Sequence, residues 1–198
     1  LQVLAREFGI DSRIVYGGVV TRAENRAMMK LLKLPAHRLR PGELSRARHV
    51  ALVDTQPAFE NNPFPENRRA TLVIDQHRPA ERTGADLALV DPDCGATCVI
   101  VAQALFLKQV AIPPSLATAL AYGILSDTLD LFRVQRDDVI QTYLRVLRRA
   151  DMRALAEIQN SQRSRRFFAT LSRGLRAAVV CGRVVVAHLG PVSGPEDV

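Results

Sequence analysis

The sequence predicts an α/β fold: a mostly parallel sheet with helices on both faces, followed by a helical connector and the first strands of a second α/β domain. Three observations predict it. Two apolar, partly β-branched runs, His49-Val50-Ala51-Leu52-Val53 and Ala70-Thr71-Leu72-Val73-Ile74, each stop at a carboxylate, Asp54 and Asp75. A strand covered on both faces reads as continuous hydrophobics and shows its chemistry only at its carboxyl end. A helix, a glycine and a short strand open the chain, which is half of an α/β repeat. A long apolar helix over 98–108 is followed by one over 115–128 that is apolar nearly all round and therefore buried.

Taken in order, the opening helix over residues 1–8 ends at Gly9, and 13–16 is a strand. Gly17 and Gly18 turn the chain toward a helix over 23–34, with Thr21 as its cap and Pro35 beyond its end. A basic, proline-containing loop leads to the strand 49–53. Residues 55–69, rich in Asn and Pro, form a surface loop of a length that tends to carry function. The strand 70–75 ends in Asp75-Gln76-His77, and a further strand covers 86–90. Asp91-Pro92-Asp93 reads as a turn and helix cap. Beyond the two apolar helices, the second of them capped near Ser115, amphipathic helices cover 137–149 and 151–158. Residues 159–168 form a basic helical connector, and 177–180 with 184–187 form a hairpin around Cys181-Gly182-Arg183. The expected domains are 1–150, a linker at 151–172, and the start of a second domain at 173–198.

The 198 residues begin with Leu1, within what reads as a helix, so a fragment is expected. No apolar run approaches the ~20 residues that span a bilayer, and a cytoplasmic protein without membrane contact is expected. Three cysteines without a CxxC pair suit reduced, structural thiols. The net charge is +7, from 27 basic and 20 acidic residues, with only Lys30, Lys33 and Lys108 as lysines. Arginine suits phosphate recognition because its planar fork binds two oxygens at once; solvated surface charge is the alternative.

Asp54, Asp75 and His77 lie at the carboxyl ends of strands that are neighbours in sequence, and such strands usually lie side by side. Asp127, in the apolar helix, is an isolated carboxylate that needs a partner, hydrogen bonds or a metal ion. Clustered carboxylates with an imidazole suit Mg²⁺ or Mn²⁺, two ions around one water that attacks phosphorus. Phosphate-ester hydrolysis is the chemistry these residue types fit.

The order of these pieces resembles the DHH phosphoesterase superfamily, which includes oligoribonucleases, single-strand exonucleases, phosphatases of adenosine bisphosphate and manganese-dependent pyrophosphatases. Val53-Asp54-Thr55 resembles its second motif, Leu72-Val73-Ile74-Asp75-Gln76-His77 the third, Gly95-Ala96-Thr97 the helix start after it, and Gly123-Ile124-Leu125-Ser126-Asp127-Thr128 the fourth. The likeness covers 1–150 as the catalytic domain, and the tail from about Arg173 resembles the start of the associated substrate-binding domain. It implies that Asp54 bridges two metal ions and Asp127 ligates one of them. Asp75 would orient its neighbours, and His77 would meet the substrate phosphate. Gln76 stands where the family has a metal-binding histidine, and the family's first motif would precede Leu1. An amide oxygen in place of imidazole nitrogen shifts preference from Mn²⁺ toward Mg²⁺; His77 is not expected to replace it, since neighbours on a strand point to opposite faces.

The resemblance thus implies a metal-dependent hydrolase of short nucleotidic phosphodiesters or phosphomonoesters, acting on short single-stranded nucleic acid or a nucleotide; a homodimer is one option for its assembly, and the sequence leaves the oligomeric state open. Arg163 and Arg166, near the expected domain junction, are the candidate contacts for a phosphate backbone. The 198 residues alone are expected to be inactive. The rival expectation is a degenerate, non-catalytic module that binds nucleic acid or nucleotides.

Overall fold

The computed structural model describes residues 1–65, 67–79 and 84–192. Its elements in chain order are α1 (Gln2–Glu7), β1 (Ile14–Tyr16), α2 (Ala23–Leu31), β2 (Ala36–Arg38), α3 (Glu43–Arg46), β3 (Ala51–Val53), β4 (Ala70–Asp75), β5 (Ala85–Val90), α4 (Thr97–Leu107), α5 (Pro114–Thr128), α6 (Asp137–Leu147), α7 (Met152–Gln159), α8 (Arg165–Ala177), β6 (Ala178–Cys181) and β7 (Val184–Ala187). The architecture is α/β, with parallel sheets flanked by helices, as the sequence predicts. The parallel strands form two sheets rather than one: β1 pairs with β2, and β3, β4 and β5 follow one another in that order.

Several boundaries differ for identifiable reasons. Residues 35–48, expected as loop, contain β2 and α3. Three residues carry no periodic signal, and β2 exists because Ala36, His37 and Arg38 lie in register with Ile14, Val15 and Tyr16. The cap of α2 is Arg22, and no side chain of Thr21 closes it. Asp91 makes the expected turn, accepting from the Asp93 amide, yet α4 starts later with Ala96 at its cap. Asp91 instead accepts from Arg136, which also grips Asp138 and so ties the end of β5 to the start of α6. The second apolar helix begins at Pro114 with no side-chain cap, because proline's fixed φ and missing N–H suit the first helical position. The hairpin β6–β7 forms as expected, paired antiparallel from Ala178↔Ala187 to Cys181↔Val184. Residues 193–198, the end of the expected second domain, lie outside the described residues.

The main core packs α4, α5, α6 and α7 against Leu72 and Ile74 of β4. The amphipathic spacing of α6 explains its place: Val139, Tyr143 and Val146 fall on one face and are buried. Asp151 caps α7 by accepting from the amides of Arg153 and Ala154, and its own amide donates to Thr118 of α5. Such a cap contributes about 1 kcal/mol. A second, smaller cluster joins Val73 and Ala70 of β4 to Phe64, Leu44 and Leu52, so Val73 is covered by Phe64 of the loop after β3 and by α3 rather than by a long helix. No helix among the described residues is long and apolar enough to cross a membrane.

The helix pair α4–α5 sits close. A Cβ added to Gly123 would lie 2.4 Å from the Cys98 sulfur, so a glycine is what lets the two backbones approach there. Gly123→Ala should destabilise the protein by about 1–3 kcal/mol through overpacking, despite alanine's better helix propensity. In a Cys98→Ala background the same substitution should cost nothing or stabilise; denaturant melts of the single and double variants check this.

Candidate metal centre

The carboxyl ends of β3 and β4 bring the first three candidates together. One ligand atom from each of Asp54, Asp75 and His77 lies within 4.8 Å of the others. The register sets this up, because Val53 pairs with Ile74 and places the two strand ends side by side. Asp54 follows β3 with φ +63°, the left-handed region, which Asp tolerates better than most residues. The turn lets its half-exposed carboxylate accept from the Thr97 hydroxyl at 2.7 Å, at the first residue of α4.

Asp75 is fully buried, and among the described residues three donors reach its carboxylate. Its Oδ1 accepts from the Gln76 amide at 2.9 Å and from His77 Nδ1 at 2.8 Å, while Oδ2 accepts from the Gln56 side chain at 2.8 Å. Gln56, also fully buried, reaches further to the carbonyls of His77 and Arg78. Its own loop is held by Asn62, whose amide donates to the Gln56 and Phe59 carbonyls and whose oxygen accepts from the Phe64 amide. The Phe59 ring stands edge-on to His77 at 6.0 Å. The described residues of the 55–69 segment therefore lack regular structure, as expected, but they do not lie wholly on the surface: Gln56 and Phe64 are buried.

Because the Asp75 carboxylate accepts from Nδ1, the neutral imidazole carries its proton there and leaves Nε2 as acceptor. The Gln76 amide sits 3.3 Å from that Nε2. This corrects the expectation that Gln76 and His77 point apart: β4 ends at Asp75, so strand alternation no longer governs the two residues after it. The hydrogen bond from His77 to Asp75, with the added charges of Asp75, Asp54 and Asp127, raises the His77 pKa above 6.5 against an opposing effect of burial.

Asp127 is not the buried carboxylate the sequence suggests. It lies on the exposed side of α5, while the buried side is carried by residues such as Ala121, Ile124 and Leu125. The protein on one side and Asp54 on the other nonetheless push its pKa up to about 6, with His77 and Arg22 pulling it down. It thus shares the electrostatic field of Asp54 and His77. Arg163 pairs with Glu24 of α2 and lies 5.3 Å above the Phe167 ring, and Arg166 is exposed on the first turn of α8. Neither is brought onto the Asp54–Asp75–His77 cluster by a described contact.

Gln56 and Asn62 are the residues that sequence reading missed. A glutamine two positions after a strand-end aspartate and an Asn-Pro pair in the following loop were available signals. The carboxylate that the Gln56 side chain serves, however, is 19 residues away in sequence.

The fold and this cluster define a class: an α/β domain with an acidic, imidazole-bearing centre at the carboxyl edge of parallel strands. No protein-family model matches the chain. It is similar to an uncharacterized protein of Methanocaldococcus jannaschii, 32% identical over 206 residues, a match that takes in 99% of the chain and 41% of that relative. The chain therefore spans less than half the length of that protein. Among solved structures it shares the fold of an exopolyphosphatase-related protein from Bacteroides fragilis, with a TM-score of 0.59 and 12% identity over 91% of this chain and 67% of that one. It also shares the fold of a putative family II inorganic pyrophosphatase from Methanococcus jannaschii, with a TM-score of 0.57 and 18% identity over 79% of this chain and 54% of that one.

Gln56→Leu should remove the donor to a buried carboxylate oxygen and destabilise the protein by about 1–3 kcal/mol; a urea melt reads it. In chelator, NMR titration should find His77 titrating above 6.5 and falling toward that value in Asp75→Asn. A histidine with a raised folded pKa adds stability that is fully present below about 6.5 and is lost as pH rises through the folded value. Native melts should therefore decline slightly across that window, and less so in Asp75→Asn.

Proposed function

We propose that the chain belongs to a metal-dependent phosphoesterase of the DHH type that hydrolyses short nucleotidic phosphodiesters or phosphomonoesters. The observation that carries the reading is the convergence of Asp54, Asp75 and His77 ligand atoms within 4.8 Å at one strand edge. Four motif resemblances in the family's order support it, as do two fold neighbours described as an exopolyphosphatase-related protein and a putative family II inorganic pyrophosphatase.

The donor set fits a hard divalent cation. Asp54 is half exposed and gives one hydrogen bond's worth of capacity to Thr97, so it retains free oxygen lone pairs. Asp127 is open to solvent and electrostatically coupled to Asp54. These two carboxylates, with the Gln76 amide oxygen at the margin, would hold Mg²⁺ or Mn²⁺. A bound cation supplies positive charge against phosphate oxygens and acidifies water. The chain's own residues do the rest. Thr97 orients Asp54, and Asp75 is a positioning residue that pins the imidazole through Nδ1. The hydrogen bond from Nδ1 to Asp75 favours the protonated imidazole, and in that form His77 would offer an Nε2–H to a phosphate oxygen or to the leaving oxygen.

One observation favours a second reading, a non-catalytic nucleotide-binding module: Gln76 occupies the family's histidine position and its amide faces His77 Nε2. An amide oxygen is a harder and weaker donor than an imidazole nitrogen, so the site would bind Mg²⁺ in preference to Mn²⁺ and hold a second ion weakly.

The test is a hydrolysis screen of the full-length protein with oligonucleotides, cyclic dinucleotides, adenosine bisphosphate and pyrophosphate, alongside Mn²⁺ binding followed by electron paramagnetic resonance. A nucleotidic substrate should be cleaved in Mn²⁺ or Mg²⁺, and Asp54→Asn should weaken ion binding and rate by at least about ten-fold. Gln76→His should tighten Mn²⁺ selectively. Cleavage that survives chelator would overturn the reading, and nucleotide binding without cleavage would transfer support to the binding module.

A further inference from the structure

At the carboxyl ends of β1 and β2, in the sheet that carries neither Asp54 nor Asp75, the surface opens into a cavity of about 480 Å³. Its walls follow from local geometry. Tyr16 and Arg38 are register partners in the parallel pair, so their side chains leave the sheet on the same side, and both line the cavity. Arg26, Met29 and Lys30 stand at i, i+3 and i+4 on α2, one face of that helix, and line the opposite wall. Gly17 and Gly18 turn the chain between sheet and helix. Gly18 adopts φ +72°, a backbone conformation in which any side chain would be strained.

Three cations thus border one cavity whose remaining lining is apolar or aromatic. The acids on the neighbouring elements are engaged elsewhere: Glu24 pairs with Arg163, and Glu43 with His37. Arg26 gives one N–H to the Thr21 carbonyl, and among the described residues neither Lys30 nor Arg38 has an ion pair. Like charges gathered without counter-charge attract an anion. The volume lies within the ~300–1,000 Å³ range of small-molecule pockets, far more than one phosphate fills. An aromatic ring and a thioether in the wall favour a planar group, which can stack on the ring while charged forks hold its phosphate.

We propose that this cavity binds a phosphorylated nucleoside, with its phosphate among Arg26, Lys30 and Arg38 and its base against Tyr16 and Met29. The ligand can be a free mononucleotide or the terminal nucleotide of a strand. The site is separate from the Asp54–Asp75–His77 centre and does not depend on hydrolysis there.

Calorimetric titration in chelator tests it with adenosine monophosphate, ribose 5-phosphate and a 5′-phosphorylated trinucleotide as probes. The monophosphate or the trinucleotide should bind, more weakly as salt rises, and at least about ten-fold more weakly to the Lys30→Gln/Arg38→Gln protein. Both substituted side chains are exposed, so melts of the double variant should match the parent. His77→Ala should leave binding unchanged, which separates this site from the catalytic reading. Tighter binding of the monophosphate identifies a mononucleotide site and tighter binding of the trinucleotide a strand-end site, either of which supports the proposal. No binding of either probe overturns it, as does affinity equal to that of ribose 5-phosphate, or loss in His77→Ala without loss in the double variant.

Discussion

A carboxylate with no solvent exposure must find all its hydrogen bonds inside the protein, and Asp75 finds them from three directions. The donors come from β4's own continuation, from the side chain of His77, and from Gln56 across the sheet end. Each one lost would leave charge buried without compensation, at about 1–3 kcal/mol or more. This requirement explains why the chain after β3 is folded so tightly: Asn62 holds the loop in the shape that delivers Gln56. The loop in turn covers Val73 of β4, through Phe64. One buried carboxylate therefore links the smaller core, the loop and the orientation of the imidazole.

Asp54 shows the complementary arrangement. It sits in a left-handed backbone conformation and stays half exposed, with one side-chain hydrogen bond described, from Thr97. At the other side of the centre, α5 is followed by three consecutive non-glycine residues with positive φ: Leu129, Asp130 and Leu131. Such residues cost of order 1–3 kcal/mol each and persist where the surroundings over-determine them. Here the surroundings are specific: Thr128 is buried, its hydroxyl donates to the Ile124 carbonyl and accepts from the Leu131 amide, and the Asp130 amide donates to the Leu125 carbonyl. The strained turn begins two residues after Asp127. Strain on both flanks and a saturated carboxylate in the middle divide the acids into two groups, one with capacity for a ligand and one spent on positioning.

The helical layer supplies the rigidity that this division needs. α4 and α5 pack around the Gly123 contact, and α6 and α7 close over them, so Thr97 and Asp127 are carried on elements anchored in the main core. Between the sheet and the helices, Arg136 holds Asp91 beyond the end of β5. The region after α7 is different in kind. The hairpin β6–β7 is exposed along its length, and a two-stranded hairpin alone is marginal in water.

Local pattern was enough for what depends on short-range physics. The runs that end at Asp54 and Asp75, the helix over α5, the amphipathic faces of α6 and α7, and the late hairpin were all legible, because β-branched runs and 3.6-residue periodicity act within one element. The same pattern placed Asp54, Asp75 and His77 at strand ends and marked Asp127 for attention. What only the tertiary structure decided involves partners far apart in sequence. β2 exists through pairing with β1, and the parallel strands part into two sheets. Thr97 reaches Asp54 from 43 residues away and Gln56 reaches Asp75 from 19. Asp127 proved to be exposed because a helix that is apolar overall still has one side facing the centre. Gln76 and His77 share one imidazole contact because the strand stops one residue earlier than alternation assumes. Hydrogen bonds of this kind leave no periodic trace, since the residue that needs the partner does not say where along the chain the partner lies.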